Sequence, residues 1–121
     1  MPWDKSAAVI YLQSHAEATS HGRCARYVRE AIQRGGIMLI HTHSAYNYGA
    51  SLVCAGFYPV LRGVPKKGDV VVIQPIAGHD DGHMAMYDGQ IWISDFKQLH
   101  GFYPGPAYRA AQPPYKMYRH D

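Results

Sequence analysis

Around Asp4, a residue suited to an N-cap, the apolar positions Trp3, Ala7, Ala8, Tyr11 and Leu12 recur with helical spacing, and the pattern fades by Thr19 and Ser20. The next segment sets Cys24, Tyr27, Val28, Ala31 and Ile32 at i, i+3, i+4, i+7 and i+8, with arginines and Glu30 around the rest of the wheel. This spacing predicts a second helix, stopped by Gly35 and Gly36, with Cys24 in its first turn on the inward face. Residues 37–63 hold no clean period, and a short helix from about Ala45 to Cys54 is expected there. From Gly68 the pattern changes: DVVVIQP, HMAMY and QIWISDF read as three strands, with Asp88-Gly89 as a hairpin turn between the last two. The stretch after Gly101 holds four of the eight prolines and reads as an extended strap over the sheet. Helices followed by an antiparallel meander make an α+β arrangement, in one domain spanning residues 1–121.

Composition narrows the function classes. The 121 residues are 47% hydrophobic, enough for one buried core. Charged residues make up only 17% and the formal charge is +3, which argues against nucleic acid as the partner. The first residues carry Asp4 and Lys5 before an apolar run broken by Gln13, Ser14 and His15, so neither a signal peptide nor a membrane span is expected, and synthesis in the cytoplasm is. Two cysteines, Cys24 and Cys54, do not make a disulfide framework.

Cys24 is the first candidate for chemistry. A thiol in the first turn of a helix feels the partial positive charge of the N-terminus, and Arg23 and Arg26 should add to that field and favour the thiolate. A nucleophilic thiol needs a base within hydrogen-bond reach and a third group that orients the base. His83, at the start of a strand behind the turn AGHDDG, suits the base. A two-residue turn at Asp88-Gly89 would set Ser94 opposite His83; a three-residue loop with a bulge would set Asp95 there. Chemistry favours Asp95, because a carboxylate stabilises the imidazolium better than a hydroxyl dipole does.

The run S-x-G-x-C-A-R-Y-V-R at Ser20 to Arg29, G-D-V-V-V at Gly68 to Val72, G-H-M-A-M-Y-D-G at Gly82 to Gly89 and W-I-S-D-F at Trp92 to Phe96 resembles the CHAP and NlpC-like branch of papain-fold peptidoglycan hydrolases. The resemblance covers roughly residues 20 to 109. It implies a papain-like fold with N-terminal helices on an antiparallel sheet and cleavage of amide bonds in wall stem peptides through an acyl-enzyme. It also implies Cys24 as nucleophile, His83 as base and Asp95 as third residue, with no cofactor. The length and the N-terminus are similar to those of amidase effectors delivered by type VI secretion, and of phage-borne lysins. The effector likeness implies a cognate immunity protein as partner and action on the wall outside the producing cytoplasm.

Other residues have blander readings. Cys54, within SLVCAGF, reads as core. His41-Thr-His43 and the His79 and His83 pair lack acidic or cysteine partners at ligand spacing, so no metal is expected, and His15, His21, His100 and His120 read as surface. Ten tyrosines would suit a binding groove, yet many must simply pack; Tyr27 shares the Cys24 helix face, and Tyr103 and Tyr108 flank the proline strap.

Overall fold

The computed structural model describes residues 3–121. Helix α1 runs Lys5–His15, with the Asp4 carboxylate accepting the Ala7 N–H at 3.0 Å as its cap. Helix α2 runs Cys24–Arg34 and ends at Gly35. A 3₁₀ turn Ala45–Asn47 leads into α3, Tyr48–Cys54. The strands are β1 Tyr58–Val60, β2 Val70–Ile73, β3 His83–Tyr87, β4 Trp92–Ile93, β5 Lys97–Gln98 and β6 Tyr115–Arg119, with α4, Pro106–Ala111, before β6. They form one antiparallel sheet in the order β1-β6-β2-β3-β4-β5. Among the described residues no helix is long and apolar enough to cross a membrane.

Strand alternation sorts the side chains into two layers. Val70, Val72, Met84, Met86 and Ile93 face α1 and α2 and bury against Ala8, Leu12, Val28 and Ile32. Val71, Ile73, Ala85 and Trp92 face the other way and are covered by Tyr108, with Phe102 and Tyr103 packed alongside. Both faces of β2 are therefore closed, which is why its VVVI run shows no polar alternation.

Three expectations change. The segment after Gly101 is no simple strap: it contains α4, and β6 enters the sheet between β1 and β2. Pro113 and Pro114 stop just before that strand, leaving YKMYR free to pair. The β3–β4 connection has neither of the expected lengths. Tyr87 pairs with Trp92, so the loop is Asp88–Ile91, and the Asp88 carboxylate holds it by accepting the N–H groups of Gln90 and Ile91 at 2.7 Å each. Cys54 is exposed rather than core, because α3 turns Tyr48, Ser51 and Leu52 inward. Both cysteines are free thiols.

Candidate active site

The start of α2 and the start of β3 meet at a cleft of about 480 Å³. Cys24 and His83 both line it; Asp80, Asp81 and the Pro104–Tyr108 segment form other walls. A smaller recess of about 180 Å³, lined by Arg23, Arg26, His41 and His43 among others, shares Cys24, Gly22 and Asp81 with the main cleft. Backbone geometry fixes the approach of His83. Gly82 has φ +69°, and a Cβ there would lie 2.3 Å from the Ile73 carbonyl oxygen and 2.9 Å from the Tyr46 Cβ, so only glycine fits.

His83 is 5% exposed and its ring Nε2 lies 2.7 Å from Oε1 of Gln98. The Gln98 amide is itself fixed, because its Nε2 donates to the carbonyls of Gly101 at 3.1 Å and Phe102 at 2.8 Å. With the amide nitrogen so engaged, Oε1 must accept and His83 Nε2 must donate. In the neutral imidazole this leaves Nδ1 with the free lone pair.

The hydrogen bond expected from the His83 ring N–H to the Asp95 carboxylate is not made. After Ile93 the chain turns, with Ser94 N–H bonded to the Phe96 carbonyl at 3.0 Å, and Asp95 points to the segment leading into α2. Its Oδ2 accepts the His21 N–H at 2.7 Å and the Arg23 N–H at 3.0 Å, and the Ser20 and Ser94 hydroxyls lie within 3.4 Å. Asp95 thus ties down the loop that presents Cys24, an anion held at a helix entrance. Ser94, the other candidate, is buried beside Asp95 and makes no bond to His83. The sequence reading missed Gln98. A polar residue on an edge strand ahead of a His-Gly turn was the available signal, and an amide oxygen accepts the imidazole N–H as a carboxylate does.

Electrostatics depart from the expected thiolate. Burial pushes the Cys24 thiol up to about 11, against the backbone N–H groups of Met84, Ala25 and Cys24 itself, which favour the charged form. Burial likewise pushes His83 down to about 4, although the bond to Gln98 and the charge of Asp95 oppose this. Arg23 and Arg26 are exposed, and Arg26 is engaged with Glu30 at 3.2 Å, so their field on the sulfur is weak. Both shifts favour the uncharged forms at neutral pH, a protonated thiol and a neutral imidazole that line the same cleft. Among the described residues no group of three His, Cys, Asp or Glu side chains converges as a metal site.

No protein-family model matches the chain, and no curated protein does. Solved structures do. A chain in the crystal structure of the native type VI effector–immunity complex Tae3-Tai3 from Ralstonia pickettii is 57% identical, with a TM-score of 0.94 over 98% of this chain and 100% of that one. The selenomethionine form of the same complex gives 62% identity and a TM-score of 0.90 over 93% of this chain and 98% of that one. The chain belongs to the Tae3 family of type VI effectors. The match covers nearly all of the α+β domain described above.

Proposed function

We propose that this effector is a cysteine amidohydrolase with a papain-like site, and that it cuts amide bonds in the stem peptides of bacterial peptidoglycan. The observation that carries the reading is the contact of His83 Nε2 with the fixed amide oxygen of Gln98. Gln98 holds the Nε2 proton, so the Nδ1 lone pair is free in the cleft that Cys24 lines. The carbon of a bound amide would be attacked by Cys24 Sγ as its proton passes to His83 Nδ1. The carbonyl electron pair moves onto oxygen, and on collapse the departing amine takes that proton from His83, leaving a thioester. Water, activated by the same imidazole, then releases the acid and the free thiol. Because both groups rest neutral, charge separates only during attack, and the N–H groups of Met84 and Ala25 favour negative charge on the sulfur while its proton is leaving.

Peptidoglycan as substrate rests on the sequence resemblance to wall hydrolases together with membership of a type VI effector family. A cognate immunity protein as partner is supported by the two similar structures, both of which are effector–immunity complexes. The wall of a target cell is then the place of action. The test is forced export to the periplasm: the wild type should lyse cells, whereas Cys24→Ala at equal expression should not. Equal toxicity of the two forms would overturn the reading.

A further inference from the structure

We infer that Tyr108 is a further catalytic residue, whose hydroxyl donates a hydrogen bond to the carbonyl oxygen of the amide under attack by Cys24. The inference rests on the proposed acylation of Cys24 and adds a donor that the Cys24–His83–Gln98 array does not contain.

Three observations carry it. Tyr108, on α4, lines the same cleft as Cys24 and His83, with its ring centroid 6.1 Å from that of His83 and 5.3 Å from that of His79. The residue is only 4% exposed and packs under the sheet with Ile73, Ala85 and Trp92, so its ring is held in place. Its hydroxyl has no hydrogen-bond partner among the described residues, whereas the Tyr48 hydroxyl accepts the Thr42 N–H and the Tyr103 hydroxyl donates to the Pro113 carbonyl. Nor is that oxygen sealed in the core as an unpartnered buried atom, and the residue that carries it lines the cleft. A fixed donor with nothing to donate to, in a cleft that holds a nucleophile, is suited to an atom that acquires charge only during reaction.

Burial pushes the Tyr108 hydroxyl up to about 12, with the charges of Cys24 and Asp81 acting in the same direction, so it remains a proton donor at any working pH. Cys24 N–H at the start of α2 is the natural second donor, since the first N–H groups of a helix have no intrahelical acceptor. During attack the hydroxyl keeps its proton and only strengthens its hydrogen bond as the oxygen becomes negative.

The test compares two reactions of Cys24 that need no wall substrate. Acetylation by p-nitrophenyl acetate passes through a tetrahedral oxyanion, with p-nitrophenolate leaving and the sulfur acetylated. Alkylation by iodoacetamide displaces iodide and forms no oxyanion. Tyr108→Phe should slow acetylation by roughly 10- to 100-fold and leave alkylation within about twofold of wild type. Unchanged acetylation in Tyr108→Phe, or a parallel fall in both rates, would overturn the inference while leaving Cys24 as nucleophile. A wild type that is not acetylated at Cys24 would overturn the proposed function, and this inference with it.

Discussion

Asp69, just ahead of β2, and His83, paired with Ile73 at the far end of the same strand, are both buried, yet only the first has a charged partner. Arg119 from β6 grips Asp69 with two bonds, Nε to Oδ1 at 2.8 Å and Nη2 to Oδ2 at 2.7 Å, and the Lys66 N–H adds a third at 2.8 Å. At the His83 end the imidazole meets an uncharged amide, and the nearest carboxylate in the chain's turn, Asp95, spends its acceptors on the backbone before α2. The difference separates two uses of buried polarity. Where every charge is matched, the group fastens β6 into the sheet. Where burial leaves a thiol and an imidazole neutral, the protein keeps a proton that can move.

Breaking the Asp69 end should cost the most stability and no chemistry. Asp69→Asn leaves the partly exposed Arg119 facing a neutral amide, and urea unfolding should show a loss of about 1–3 kcal/mol, the range for hydrogen bonds to a charged group. Turnover per folded molecule should stay within about twofold of wild type. A large loss of turnover in properly folded Asp69→Asn would erase the distinction between the two ends.

Changing the other end should do the reverse. Gln98→Leu removes the acceptor that fixes the His83 tautomer, and turnover should fall by roughly 10- to 100-fold with a smaller change in stability. Gln98→Glu restores an acceptor, with a charge. It should recover much of that activity and move the acid limb of the pH–rate profile upward, because a carboxylate favours the imidazolium. If Gln98→Leu is as active as wild type, the amide plays no part in orienting the base.

The smallest effect sharpens the contrast by pH. His83 titrates near 4 when folded against a usual value of 6.5, so in that window the unfolded chain binds more protons and stability falls as pH falls. Between pH 6.5 and 5.5 this group should remove about 1 kcal/mol, and His83→Gln should lose that much less than wild type over the same interval. Parallel stability curves for the two proteins would show that His83 is not held neutral by burial.

How far the sequence foretold this arrangement depends on the range over which each feature is decided. The α2 stripe from Val28 to Ile32, its stop at Gly35 and the runs that became β2 and β3 are local patterns, legible because each residue's burial follows its own period. The place of β6 was hidden, since a strand inserted between β1 and β2 is a pairing across some sixty residues of chain. The register of Asp95 against His83 was missed for a related reason. Its position depended on one turn, and the Asp88 side chain made that turn longer than the Asp-Gly signal implies. Asp95 is buried next to the site, but it serves the Cys24 side of it. The thiol was misjudged because a helix N-terminus is visible in sequence, whereas the burial that outweighs it is not.

The central claim is that Cys24 is the nucleophile of a wall-peptide amidase, and digestion of purified sacculi followed by mass spectrometry of the released material tests it most directly. The account predicts that wild type liberates peptides cleaved at an amide bond, with the glycan strands uncut, and that Cys24→Ala liberates none while keeping its fold. Release of the same peptides by Cys24→Ala, or products cut in the glycan, would contradict it.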